Sequence, residues 1–279
     1  MSNFQNDQAA GLRRIMAAPK PRVVSIISAA TNHDQPRMMT NLAATICCHG
    51  SDVLIVHASE NSRESSYNAN NLPSLFDVAN ESHSIEAAIA STPHGFSISK
   101  LMQKNQFNIA QDSKLNSQVN AIFGELARQY EIVLVDATLN ENNLLPLKIL
   151  NQGEIIVQLT RRPESIKQAY TLIKQICSQL GRRAFGIVVE DASDAQAQIV
   201  FNNIAQVARR FMQIELEFFG AIPNDDHLNR AAKLGRSVID AFPMAAASSA
   251  FKQLAERLDY KPVYCKQELS AANNQASFI

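Results

Sequence analysis

The sequence predicts an α/β fold, a single three-layer domain in which a mostly parallel sheet is flanked by helices. Two observations carry that reading. Short β-branched apolar runs such as Val23 to Ile27 and Ile132 to Val135 lack the polar alternation of a half-exposed strand, so both of their faces are buried, as in a parallel sheet. Between these runs lie stretches of helical period, and strands that alternate with helices build a layered parallel sheet through right-handed crossovers. No second core and no internal repeat interrupts the alternation. The domain is read over 21–262, after an N-terminal segment 1–20 and before a polar C-terminal tail 263–279 expected to be flexible.

Taken in order, residues 1–20 are polar and Ala-rich, with Leu12, Ile15 and Met16 at helical spacing beside Arg13 and Arg14. Pro19 and Pro21 break the chain before the strand Val23 to Ile27. A polar stretch from Ser28 to Gln35 leads to Pro36, suited to a first helical turn. Met38, Leu42, Ala43 and Ile46 hold the helical period until His49 and Gly50, which predict a stop. Val53 to Val56 is the next buried strand, and the Ser- and Asn-rich stretch 61–71 reads as an exposed loop. Helical pieces are expected at Leu75 to Val78 and Ile85 to Ile89, and a strand at Phe96 to Ile98. A helix from Leu115 to Arg128 leads into Ile132 to Val135, ended by Asp136. The pattern then predicts helix 142–150, strand 155–159, helix 163–180, strand 185–189, helix 195–211, strand 216–219 and helices 227–234 and 247–258.

Composition excludes several classes. Lys plus Arg equals Asp plus Glu at 26 each, so no global field favours nucleic acid or an anionic membrane. The Arg pairs at 13–14, 161–162, 182–183 and 209–210 lack interleaved aromatics and read as solvated helix ends rather than a nucleic-acid face. No apolar h-region or membrane-length run is present. Cys47, Cys48, Cys177 and Cys265 show no C-x-x-C spacing, which points to free thiols in a reducing cytoplasm. Cys47-Cys48-His49 offers metal ligands in principle, but Cys packs as a small hydrophobe, and the end of a buried helix is the preferred reading.

In an open parallel sheet the ligand crevice lies beyond the carboxyl ends of the strands, so the loops after Ile27, Val56 and Val135 converge on any site. A nucleotide-hydrolysing site needs glycines whose neighbouring N–H groups wrap phosphate, a Lys for charge and a Ser/Thr hydroxyl for Mg²⁺. At this point motifs become specific. Asp7-Gln8-Ala9-Ala10-Gly11-Leu12-Arg13-Arg14 resembles the N-terminal D-Q-A-x-x-L-R motif of the FlhG/FleN family, MinD-like ATPases that control flagella. Asn41-Leu42-Ala43 is similar to the helix after that family's P-loop. Ser165-Ile166-Lys167-Gln168-Ala169-Tyr170-Thr171-Leu172-Ile173-Lys174 resembles its S-I-T-D-A-Y-A-L-I-K segment. Val200-Phe201, Ala208-Arg209-Arg210-Phe211 and Gly220-Ala221-Ile222-Pro223-Asn224-Asp225 resemble its C-terminal third. The order and spacing of these matches run through almost the whole chain, and the implied fold is the P-loop NTPase fold of the MinD/ParA superfamily.

The departures from that pattern gather in one place. Ungapped spacing puts the family's G-K-G-G-V-G-K-T loop on Ala29-Ala30-Thr31-Asn32-His33-Asp34-Gln35-Pro36, which contains no glycine. Ala30 stands for the signature lysine, Gln35 for the P-loop lysine and Pro36 for the Mg²⁺-ligating Thr. Asp34 adds negative charge where phosphates would lie, worth ~3 kcal/mol of repulsion per phosphate charge at ~5 Å and an effective dielectric of ~20. The family's L-D-A-D becomes Val56-His57-Ala58-Ser59, which loses both carboxylates. Its D-x-x-x-G keeps only Asp136, with Asn140 at the glycine, and Glu190 replaces a base-contacting Asn. Asp136 is either a residual Mg²⁺ ligand or a cap on the following helix, and the cap is the preferred reading.

The resemblance implies an ATP- and Mg²⁺-using family, whereas these residues predict no tight cofactor, no catalytic residue and no metal site apart from Asp136. Two functional expectations stand: a pseudo-ATPase regulating flagellar number, placement and assembly through protein contacts, or an active ATPase with an aberrant loop. In the family the N-terminal segment stimulates the signal-recognition-type GTPase FlhF, which implies a partner-binding role for Asp7, Gln8, Ala9, Leu12 and Arg13. The tail from Tyr264 to Ile279 has a single cation, Lys266, and little apolar moment, against membrane anchoring. The expected location is the cytoplasm, with recruitment to the membrane at the cell pole left open. The expected state is a monomer or a nucleotide-independent oligomer.

Overall fold

The computed structural model describes residues 21–29, 34–58, 72–103 and 113–258; side chains at 34 and 35 are outside that description. The strands are β1 (Arg22–Ser28), β2 (Val53–His57), β3 (Ile89–Ser91), β4 (Ser97–Lys100), β5 (Ile132–Asp136), β6 (Glu154–Thr160), β7 (Phe185–Glu190) and β8 (Leu216–Ile222). They form one sheet in the order β3-β4-β2-β5-β1-β6-β7-β8, parallel except for the antiparallel β3–β4 pair at one edge. The apolar runs read as buried strands are β1, β2, β5, β6 and β7, and β2, β5 and β7 are buried along their whole length.

Helices cover both faces. On one lie α1 (Asp34–Cys48), α6 (Asp226–Lys233), α7 (Val238–Ala241) and α8 (Ala246–Leu258), packed on Val24, Ile26, Ile55, Leu134 and Val188. The other carries α2 (Leu75–Ala79), α3 (Ser113–Ala127), α4 (Pro163–Leu180) and α5 (Asp194–Met212), packed on Ile27, Val56, Val135, Val157 and Val189. Helix α4 begins on Pro163, whose fixed φ and missing N–H suit a first turn. Helix α5 begins with a capping box between Ser193 and Gln196. Helix α1 stops after Cys48, where Gly50 takes φ 90°. Among the described residues no helix is long and apolar enough to cross a membrane.

The structure corrects the sequence reading in four places. The helix expected over 142–150 is instead a turn followed by a short 3-10 helix, Lys148–Gln152. Asn140 Oδ1 accepts from the N–H groups of Asn142 (2.9 Å) and Leu144 (3.0 Å), and Asn143 takes φ 59°. A side-chain carbonyl thus captures the donors a helix would use, and Pro146 bars Leu145 from helical geometry. The helical piece at 85–89 is a single 3-10 turn, Glu86–Ala88, that passes directly into β3. Strand β8 runs through Ile222 rather than stopping at 219, and α7 was not foreseen.

Past β8 the chain is held by Asp225, which caps α6 through the His227 N–H (2.9 Å) and accepts from the Ala247 N–H (3.0 Å) and the His227 ring (2.7 Å). Burial alone would raise this carboxyl, but these hydrogen bonds outweigh it and hold its pKa below the ordinary aspartate range. A depressed folded pKa stabilises the protein above the unfolded-state pKa, and that contribution is lost as pH falls through the folded value. Asp225→Ala is therefore expected to lower the unfolding free energy by about 1–2 kcal/mol at neutral pH. In urea titrations the gap to wild type begins to shrink as pH falls below the ordinary aspartate value of about 4; a gap independent of pH would contradict this account.

Candidate functional site

The site is built at the carboxyl ends of β2, β5, β1, β6 and β7. Strand alternation and register put His57, Asp136, Ser28, Gln158, Thr160 and Glu190 on the sheet face that carries α1. His57 stands opposite Asp136, Ser28 opposite Gln158, and Thr160 opposite Glu190. At ~4.8 Å per strand, His57 and Gln158 lie three strand spacings, ~14 Å, apart across the sheet. All of these residues except Ser28 are buried.

The centre of the row is the His57–Asp136 pair. His57 Nδ1 lies 3.0 Å from Asp136 Oδ2, with both side chains almost fully buried. The Ala58 N–H donates to Asp136 Oδ1 at 3.2 Å. The imidazole Nδ1 and Asp136 Oδ2 form one hydrogen bond, and the Ala58 N–H gives the same carboxyl a second. His57 Nε2 is buried and has no hydrogen-bond partner among the described residues. The helix-cap reading of Asp136 is therefore overturned, for its carboxylate turns to β2 and the chain after it forms a turn rather than a helix.

Other expected site residues divide by position. Ala29 is buried, and its N–H donates to the Gln158 carbonyl at 2.7 Å, which fixes where the chain leaves β1. Asp34 and Gln35 are the first two residues of α1, and Pro36 is the third and buried. Asn140 builds the turn after β5, and Glu190 is buried at the end of β7. Ala30, Thr31, Asn32, His33 and Ser59 lie outside the described residues, as do Asp7, Gln8, Ala9, Leu12 and Arg13. Among the described residues no group of three or more His, Cys, Asp or Glu side chains has metal-site geometry.

Sequence reasoning missed Gln158. Its side chain is fully buried, and neither amide atom has a hydrogen-bond partner among the described residues. The signal was a lone polar residue inside Ile155-Ile156-Val157-Gln158-Leu159. Asn41 was noted only as part of a motif, yet its Oδ1 accepts from the Val238 N–H (2.7 Å) and its amide donates to the Arg37 carbonyl (2.8 Å). It ties α1, the helix after the candidate loop, to α7.

Each member of the His57–Asp136 pair satisfies the other in a setting where an unpaired charge costs several kcal/mol. Asp136→Ala and His57→Ala should each destabilise the protein by about 2–4 kcal/mol. The double variant should lose less than their sum, with a coupling of about 1–3 kcal/mol in a denaturation cycle. Additive losses would show that the two side chains do not depend on one another.

Comparison with known proteins agrees with this architecture. No protein-family model matches the chain. The chain is 28% identical over 142 residues to antiactivator FleN of Pseudomonas aeruginosa, covering 50% of this chain and 51% of FleN. The chain thus spans about half the length of that relative. It is 24% identical over 206 residues to an uncharacterized ATP-binding protein of Methanocaldococcus jannaschii, covering 74% of this chain and 72% of that one. Among solved structures, MinD in the Aquifex aeolicus MinC:MinD complex superposes with TM-score 0.65 at 17% identity, over 88% of this chain and 98% of that one. MinD of Pyrococcus horikoshii with Mg-ADP gives 0.64 at 18% identity, over 86% and 96%. The Cyanothece McdA–ATP complex gives 0.64 at 11%, over 86% and 97%. These likenesses establish the fold. In sequence the chain is similar to antiactivator FleN over about half its length, and in fold to MinD and ParA-family ATPases.

Proposed function

We propose that this protein regulates flagellar number, placement and assembly through protein–protein contacts, as a pseudo-ATPase. The observation that carries the reading is the His57–Asp136 pair. Asp136 is what remains of the carboxylates with which the resembling family organises Mg²⁺ and water, and here its Oδ2 faces an imidazole. The lining supports the same conclusion. A site for a nucleotide triphosphate gathers cations and N–H donors, whereas the row His57, Asp136, Ser28, Gln158, Thr160 and Glu190 holds two acidic residues and no Lys or Arg. Asn41 supports it further, because α1 is braced against α7 by protein contacts. The relative's description as an antiactivator supports a regulatory role. The partner we favour is an FlhF-type GTPase, engaged through Asp7, Gln8, Ala9, Leu12 and Arg13.

The alternative, an active ATPase with an aberrant loop, draws support from the ATP-binding relative of Methanocaldococcus jannaschii. Calorimetric titration with Mg-ATP separates the two. The pseudo-ATPase reading expects a dissociation constant weaker than about 100 μM, about −5.5 kcal/mol. Binding tenfold tighter, with turnover abolished in Asp136→Ala, would establish the ATPase.

The partner role has its own test. Gln8→Ala combined with Leu12→Ala should abolish stimulation of an FlhF-type GTPase, because truncating an interface anchor commonly costs about 1–3 kcal/mol or more. The melting temperature should not change. Normal stimulation by the double variant would remove the docking role, and a fall of several degrees would make those residues structural instead.

A further inference from the structure

Strand β4 ends on Lys100, which stands opposite His57 in the parallel β2–β4 register. Phe96 and Ile98, four and two residues before it, belong to the core under α1, so strand alternation puts Lys100 on that same face. Lys100, His57 and Asp136 therefore run side by side across β4, β2 and β5, at about 4.8 Å per strand. A cation thus stands one strand beyond the row that ends at His57.

His57 turns its Nδ1 to Asp136 on β5. The two ring nitrogens diverge, so Nε2 points away from β5, to the side where Lys100 stands. That nitrogen is buried without a hydrogen-bond partner, on a side chain only 2% exposed. Lys100 is half-buried, and among the described residues no carboxylate pairs with its ammonium. Asp77, which lies across the Ser74–Lys100 bridge, is already taken by the Ser74 N–H, the Ser74 hydroxyl and the Gln103 amide. An ammonium donates and never accepts, and buried polar atoms are rarely left unanswered. The complement of an ammonium beside an imidazole N–H is a negative group with two acceptor oxygens, one for Lys100 Nζ and one for His57 Nε2. Asp136 sits on the Nδ1 side of the ring, so the imidazole stands between its charge and such a ligand.

We propose that Lys100 and His57 form a subsite for a small oxyanion, a carboxylate or a phosphate, between the carboxyl ends of β4 and β2. It lies three strand spacings, ~14 Å, from β1 and the loop that follows it. The test is an NMR titration of the nucleotide-free full chain, labelled in its histidine rings. Sodium phosphate is the probe in one arm and sodium acetate in the other, with chloride holding ionic strength constant. The His57 ring signals should shift saturably with at least one of the two, and the arm that saturates first names the oxyanion. Lys100→Gln should weaken that binding about tenfold or more, whereas Lys100→Arg should keep it within about threefold. Without anion, Lys100→Gln should melt at the wild-type temperature, because no carboxylate is lost as a partner. Neither probe carries a nucleotide, so the outcome is separate from that of the Mg-ATP titration. No saturation in either arm below about 100 mM, a shift that chloride reproduces, or unchanged affinity in Lys100→Gln would each overturn the proposal.

Discussion

A parallel sheet covered by helices on both faces leaves almost no position where a polar side chain meets water. Strands β2, β5 and β7 are buried along their whole length, and β1 and β6 nearly so. Polar chemistry is therefore confined to the carboxyl ends, where the crossover loops leave the sheet. A charged group there needs a partner, since burial without one costs several kcal/mol. The register between β2 and β5 sets His57 opposite Asp136 and so gives the buried carboxylate its imidazole.

That dependence explains how a nucleotide-type fold stands without a nucleotide-type loop. In a P-loop protein, phosphate and Mg²⁺ knit the loop, the following helix and the retained Asp together. Here each tie has a substitute within the chain. Asp136 is met by His57 and the Ala58 N–H, and the Ala29 N–H by the Gln158 carbonyl. Helix α1 is fastened by Asn41 to the Val238 N–H and by Arg37 to Asn229. Asp225 joins α6 to α8 behind it.

The layers were legible in the sequence because burial on both faces writes itself as unbroken β-branched runs, and the helices as period 3.6. Segment 142–150 misled for a physical reason: its leucines carry helical spacing, but Asn140 and Pro146 act on the backbone and overrule it. The three residues of β3 are too few to show any period. In the site, the loss of glycine and lysine was plain from residue identity, and so was the position of His57, Asp136 and Glu190 at the carboxyl ends of strands. The contact between His57 and Asp136 was not legible, because it depends on which strands are neighbours and on a register that spans 79 positions of sequence. Gln158 escaped for the opposite reason: one polar residue in an apolar strand is a faint mark until burial shows that nothing answers it.

If the crevice takes no nucleotide, as proposed, it has no nucleotide-binding energy to transmit, since an equilibrium shifts only by differential affinity. Contacts made by such a protein then have to be constitutive, set by concentration and by partner availability. Regulation in such a protein would reside in how much of it is present rather than in which nucleotide it has bound.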